Sequence, residues 1–181
     1  MEARLLAEIW NQGWFVLRLC SLGDEMLSDA FKIIEVDDIA LEVDAKMLTI
    51  KEGADVDIGA NASAEEAAEE LEDGAIQVNN VVYSFRLQST SFDKKSYMTY
   101  IKGYMKAVKK HLEESDPDRV AVFEKKVTPF VKKILENFKD YEFYVGESMN
   151  PEGAIALLNY REDGITPYFT LFKDGLKTEK I

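Results

Sequence analysis

The sequence contains very few of the residues on which most catalytic sites depend. Its 181 residues include one cysteine, Cys20, and one histidine, His111. A single cysteine excludes an internal disulfide and suits a reducing compartment. The Gly-x-Ser-x-Gly elbow, the Walker loop, Gly-x-Gly-x-x-Gly and Cys-x-x-Cys are all missing. We therefore expect no enzyme, although the many carboxylates leave a paired-acid hydrolase open, with no spacing that singles out a pair.

Long apolar runs and positive charge are also scarce. No run approaches the roughly 18–20 apolar residues of a membrane helix. The net charge is −12, from 22 Lys and Arg against 34 Asp and Glu, so phosphates would be repelled from the average surface. Glu2 and Glu8 interrupt the first apolar residues, and no small-residue cleavage site follows them. These features predict a cytoplasmic protein that binds neither nucleic acid nor membrane.

The acidic charge is concentrated in one segment. Residues 52–73 contain nine acids and no Lys or Arg, and the segment is rich in Ala and Glu. Such a stretch buries too little apolar surface to offset its ordering entropy. We therefore predict a mobile acidic loop over residues 52–74, in which the Ala-Glu content could form only a transient helix.

The same segment contains an incomplete calcium-loop pattern. An EF-hand register that begins at Asp55 places Asp57 third and Glu66 twelfth. The sixth position is Ala60, where the sharp turn needs glycine, and no good helices flank the segment. We expect at most loose, weak calcium binding by Asp55, Asp57 and Glu66.

Residues 92–140 reverse the charge balance and change the periodicity. Twelve Lys and Arg stand against eight Asp and Glu. Two apolar stripes at helical spacing flank the turn sequence ESDPDR, where Asp116 is a candidate N-cap and Pro117 a first helical residue. The pattern predicts an antiparallel helical hairpin, with Pro129 kinking or interrupting the second helix because an interior proline costs about 3 kcal/mol. The stripes are Tyr97, Ile101, Tyr104, Met105, Val108 and Leu112, and then Val120, Phe123, Val127, Phe130, Val131, Ile134 and Phe138.

The rest of the chain favours strands. Turn sequences near the C-terminus separate apolar runs of strand length. The predicted class is α+β: a β-rich body with the helical hairpin inserted between strands. The predicted strands are residues 14–19, 39–43, 47–50, 76–87, 141–145, 154–160 and 167–173.

Several motifs in unbroken order, from about Leu22 to Ile181, resemble the translationally controlled tumour protein family. They are DIGANASAEEAAEE at 57–70, TSFDKKSYMTYIKGYMK at 90–106 and FKDYEFYVGESMNPEGAIALLNYREDGITPY at 138–168, with GDEMLSDAFKI at 23–33 and FKDGL at 172–176. The resemblance implies a β-tent body, an inserted α-hairpin and a flexible acidic loop. It also implies a cytoplasmic protein without established enzymatic activity. Family members are described as binding calcium, tubulin and microtubules, and are linked to translation elongation factors, to Rheb-type small GTPases and to antiapoptotic partners in animals.

The chain departs from the family at its start. The first family strand aligns with residues 14–19, where Leu17 and Leu19 replace a tyrosine and an aspartate. About thirteen residues precede that strand. We therefore divide the chain into an atypical N-terminal extension, 1–13, which is either genuine or an artefact of the gene model, and a single domain, 14–181.

The resemblance also implies where partners bind. It places Glu25, Glu147 and Val81 on a face that is proposed to meet GTPases, and two acids around an apolar residue suit a basic, partly apolar partner loop. The competing interpretation is that Glu147 accepts backbone N–H groups from the Asn-Pro turn that follows it. An alternative function is a primarily cytoskeletal one, in which the hairpin meets the acidic surface of tubulin through Lys102, Lys106, Lys109 and Lys110. His111 is expected to be a solvated surface residue.

Overall fold

The computed structural model describes residues 15–19, 23–51, 75–150 and 152–180. The N-terminal extension, Cys20 and the whole acidic segment 52–74 lie outside the described residues. The predicted mobility of that segment and its calcium candidates, Asp55, Asp57 and Glu66, therefore stay predictions.

The described residues form antiparallel strands and two long helices. The strands are β1 (Phe15–Leu19), β2 (Glu25–Ser28), β3 (Ile33–Val36), β4 (Ala40–Asp44), β5 (Met47–Lys51), β6 (Ala75–Asn79), β7 (Gln88–Thr90), β8 (Glu142–Val145), β9 (Ala156–Tyr160), β10 (Pro167–Phe172) and β11 (Leu176–Lys180). The helices are α1 (Asn80–Ser84), α2 (Lys94–Ser115) and α3 (Pro117–Glu136), with short 3-10 turns at Phe138–Asp140 and Lys173–Gly175.

The described strands form three sheets. The largest has the order β3-β4-β10-β9-β8-β7, a second has the order β11-β1-β2, and β5 pairs with β6. At the centre of the largest sheet, Phe169 of β10 lies opposite Val43 on one side and Leu158 on the other. Phe169 and Val43 are completely buried, so this central strand lies in the core.

The apolar stripes of the helical hairpin cover the largest sheet. The ring of Phe172 in β10 lies 5.9 Å from that of Tyr104 in α2 and 5.7 Å from that of Phe130 in α3. The ring of Tyr97 lies 5.2 Å from that of Phe143 in β8. Burial of the stripes therefore explains why a chain with this periodicity folds as an α+β domain.

The helical hairpin agrees with the prediction made from the sequence except in two details. Asp116 alone separates α2 from α3, and Pro117 is the first residue of α3, but the Asp116 side chain makes no capping hydrogen bond. Pro129 was predicted to kink or interrupt the second helix; the interruption is wrong, since α3 continues past it to Glu136, whereas the kink stays a prediction. Pro129 and Lys125, one turn earlier, are exposed, so water can reach the carbonyl whose helical bond is lost. The buried residues on the opposite face hold the helix to the sheet.

The predicted strand over residues 76–87 is also wrong in its second half. The strand stops at Asn79, whose side-chain oxygen accepts the N–H groups of Val81 and Val82 at 3.0 and 3.4 Å. This cap starts the short helix α1 in a sequence whose β-branched residues favour a strand. Strands β2, β3, β7 and β11 were not predicted.

Within the described ranges, no helix combines the length and the apolar character that a membrane crossing requires.

Candidate partner-binding site

Glu147 lies on an exposed turn directly after β8. The N–H of Met149 donates to the carbonyl of Gly146 at 3.0 Å, which closes the turn around Glu147. The Glu147 carboxylate accepts a hydrogen bond from Nη1 of Arg86 at 2.8 Å, with 61% of the Glu147 side chain and 73% of the Arg86 side chain exposed. The bond and charge of Glu147 raise the pKa of Arg86. The described structure thus pairs Glu147 with a side chain, whereas the turn-capping interpretation predicted backbone N–H partners from the Asn-Pro turn.

The neighbouring loop is attached to this turn through Asp24. The hydroxyl of Ser148 donates to Oδ2 of Asp24 at 2.5 Å, and the Ser148 N–H donates to the same oxygen at 3.3 Å. A Cβ at Gly146 would lie 2.4 Å from that oxygen, so this close approach requires glycine. Glu25, the next residue after Asp24, is exposed at the start of β2. The structure therefore places Glu25 and Glu147 on adjacent segments.

Val81 does not belong to this exposed surface. It is completely buried in α1, and its apolar side chain is part of the core. Val81 therefore presents no surface to a partner in this structure, which does not fit its assignment to the exposed binding face. The Asn79 cap places Val81 inward, and sequence spacing alone cannot show this. Exposed apolar side chains do occur at Tyr83 of α1, 50% exposed, and at Met149 on the turn of Glu147, 62% exposed.

The four lysines predicted to contact microtubules are not equivalent. Lys102, Lys106 and Lys110 are exposed on α2, four residues apart, and therefore lie along one face. Lys109 instead lies 2.5 Å from Glu124 of α3 and 3.9 Å from Glu113. The hydrogen bond and charge of Glu124 raise the pKa of Lys109. Lys109 therefore joins the two helices while 40% of its side chain stays exposed, and its role as a microtubule contact stays a prediction.

His111 is exposed on α2, as expected for a solvated surface residue. Across the part of the chain that the structure describes, no three His, Cys, Asp or Glu side chains are grouped as metal ligands.

One cluster of charges was not predicted and lies away from Glu147. Asp38, in the turn between β3 and β4, accepts hydrogen bonds from Arg119 and Lys126 of α3 and from Lys173. Burial by itself would raise the pKa of Asp38, but these three hydrogen bonds outweigh it and hold that pKa well below its usual range. We call Asp38 and its three cations the Asp38 cluster. The Asp38 cluster attaches the hairpin to the sheet and so stabilises the fold.

Comparisons with known proteins point to one family over most of the chain. The sequence profile of the family described as "Translationally controlled tumour protein" matches residues 19–177. The chain is 66% identical over 159 residues to the translationally-controlled tumor protein homolog of Schizosaccharomyces pombe, a match that covers 88% of this chain and 95% of that protein. It is 62% identical to the homolog of Mycosarcoma maydis, with the same coverage.

Solved structures agree with the fold described above. The structure of the translationally controlled tumor-associated protein of S. pombe has a TM-score of 0.78 and 62% identity, covering 92% of this chain and 99% of that chain. The solution structure of the Caenorhabditis elegans protein has a TM-score of 0.67 and 32% identity, covering 92% and 98%. Since the profile spans most of the sequence and these relatives match over nearly their whole lengths, the chain belongs to the translationally controlled tumour protein family.

Proposed function

We propose that this protein is a non-enzymatic, cytoplasmic interaction protein that acts in protein synthesis and growth control by binding a small GTPase or a translation elongation factor. Membership of the family supports the class of function. The observation that carries the site is the bond between Asp24 and Ser148, which holds the loop of Glu25 beside the turn of Glu147. Two exposed carboxylates on adjacent, mutually attached loops suit a basic partner surface.

The charges of this surface suit selective recognition of a partner rather than tight binding. Glu147 is mostly exposed, and exposed ion pairs are worth roughly 0–1 kcal/mol each. Such charges mainly select among partners and speed their encounter. We therefore expect a reversible complex that weakens as salt is added.

The test is a titration of the intact protein with a purified Rheb-type small GTPase, by calorimetry and by a nucleotide-exchange assay. Glu25→Lys and Glu147→Lys should each weaken binding about tenfold or more, since like charges placed opposite each other cost several kcal/mol. Glu162→Lys changes the charge equally at an exposed residue between β9 and β10 and is the matched control. Equal affinity for all four proteins, with unchanged Tm, would overturn the assignment of this face.

A second candidate function, binding to microtubules, is favoured by the face of α2. Lys102, Lys106 and Lys110 carry like charges four residues apart, which is unfavourable in the isolated helix. An anionic surface such as that of tubulin would relieve this repulsion. We propose that these three lysines form the contact and that the protein then associates with the cytoskeleton. The two functions use different elements of opposite charge, so they are compatible.

A further inference from the structure

Two residues beside Glu147 have backbone conformations that do not suit their side chains. Among the described non-glycine residues, those in the left-handed region are Asp37, Asp38, Arg86 and Met149. Aspartate tolerates this region because its short polar side chain can bond locally. Arginine and methionine have no such compensation, yet Arg86 has φ 49° and Met149 has φ 54°.

Arg86 occupies a position where glycine is common. Helix α1 ends at Ser84, Phe85 is its C-cap, and the N–H of Leu87 donates to the carbonyl of Val82 at 3.0 Å. This bond is typical of a Schellman motif, in which the residue after the C-cap is left-handed and is usually glycine. Here that residue is Arg86, whose side chain extends into solvent toward Glu147.

Met149 has the second such backbone conformation, on the turn that contains Glu147. It closes the turn that begins at Gly146, and it is followed by the short segment that leads to β9. Its side chain is 62% exposed, so burial in this protein contributes little to offset the unfavourable φ. Backbone strain of this kind concentrates at functional sites.

We propose that Arg86 and Met149 determine the specificity of the surface around Glu147, by selecting a GTPase segment that carries a cation together with a hydrogen-bond acceptor and an apolar side chain. The inference rests on the proposed function. Within the described structure, Glu147 uses only Oε1 for Arg86, so Oε2 is left to accept from a partner cation. Arg86 uses one of its five N–H donors on Glu147, and the others can bind a partner carbonyl or carboxylate.

The pair of Arg86 and Glu147 would also disfavour partner segments that carry a cation alone. A segment that brings only a cation to Glu147 meets the positive charge of Arg86 and is repelled. A segment that places an acceptor beside its cation satisfies both side chains, and an apolar residue next to them covers Met149. Specificity arises from both the repulsion and the attraction.

The experiment compares glycine and alanine at the two strained positions. Met149→Gly and Met149→Ala remove the same contact, but only glycine relieves the left-handed φ, so the glycine variant should melt about 2–4 °C above the alanine variant. Both should bind the GTPase of the preceding titration roughly fivefold more weakly, and Met149→Leu should bind within about twofold of wild type. Arg86→Gly and Arg86→Ala should show the same pattern of melting and binding.

The outcomes separate this inference from the proposed function. Glycine variants that melt above the matching alanine variants, and that bind the GTPase more weakly than wild type, support the inference. A purely structural role would not couple this stabilisation to a loss of affinity. If Glu147→Lys loses binding while the Arg86 and Met149 variants bind as wild type, the inference fails and the proposed function stands. If the alanine variants melt at or above the glycine variants, the positions are not strained and the inference also fails. If the wild-type protein does not bind the GTPase, the inference fails together with the GTPase part of the proposed function, and binding to an elongation factor remains as the other part.

Discussion

Asp38 and Arg119, 81 residues apart in the sequence, are joined by a hydrogen bond of 2.8 Å between Oδ2 and Nη1. Arg119 is near the start of α3, and Asp38 is in the turn that connects two strands of the largest sheet. Arg119 also contacts Asp174 at 2.8 Å, and Lys126 contacts Asp38 at 2.9 Å. The hairpin is therefore attached to the sheet by charges at its edge as well as by its apolar stripes.

Asp38→Asn should lower the free energy of unfolding at pH 7 by about 1–3 kcal/mol, because it removes the charge that three cations face. Asparagine tolerates the left-handed φ of 56°, so the change leaves the backbone unstrained. The folded pKa of Asp38 is lowered, so its contribution is fully present above the ordinary aspartate pKa of about 3.9 and is lost progressively as pH falls from there through the lower folded pKa. Urea unfolding at pH 7 and at pH 3 should show a smaller difference between the two proteins at pH 3, where part of the contribution of the charge has been lost. A difference that stays constant over this range would contradict the role of the charge.

Gly175→Ala should destabilise the protein by about 1–3 kcal/mol through overpacking. A Cβ at Gly175 would lie 1.7 Å from the hydroxyl oxygen of the buried Tyr104. Adding Tyr104→Phe removes that oxygen and should recover part of the loss in thermal unfolding. Gly103→Ala is the control, since a Cβ there meets nothing within 4 Å and should stabilise α2 by about 0.5–1 kcal/mol. Equal effects at the two glycines would show that the contact with Tyr104 does not matter.

Replacing Lys102, Lys106 and Lys110 together by glutamate should abolish co-sedimentation with microtubules. The matched control makes the same change of charge on exposed lysines at or beyond α3: Lys125, Lys132 and Lys139. The control should sediment nearly as wild type, and wild-type binding should weaken as salt is added. If both triple variants lose binding equally, overall charge rather than the face of α2 is responsible.

Calcium binding should be weak, with a dissociation constant no tighter than about 10⁻⁴ M, because the sequence at Asp55, Asp57 and Glu66 has Ala60 where a preorganised loop needs glycine. Calorimetry of the full chain tests this, with a variant in which the three acids become amides as the control. Micromolar affinity with a defined stoichiometry would contradict the prediction.

The sequence by itself determined the helices and strands whose pattern of apolar residues extends over a long continuous segment. The helical stripes of the hairpin repeat over many turns, and the start of α3 at Pro117 follows from a proline whose φ suits a first turn. The strands around Val43, Phe143 and Phe169 are apolar runs bounded by turns, so their existence was predictable as well. The predicted strand over residues 141–145 ends just before Glu147, but the place of Glu147 on a binding face was implied only by the family resemblance.

Only the tertiary structure decided which side chains those elements bring together. Val81 is buried because the Asn79 cap turns a strand-like sequence into a helix, and Lys109 is engaged because its helix packs beside Glu124. Arg86 lies 61 residues from Glu147 in the chain, and neither residue carries a signal for the other. Periodicity reports which face of an element is apolar, whereas ion pairs between distant segments depend on how those faces pack. For this reason the fold follows largely from the sequence, while the composition of the candidate site does not.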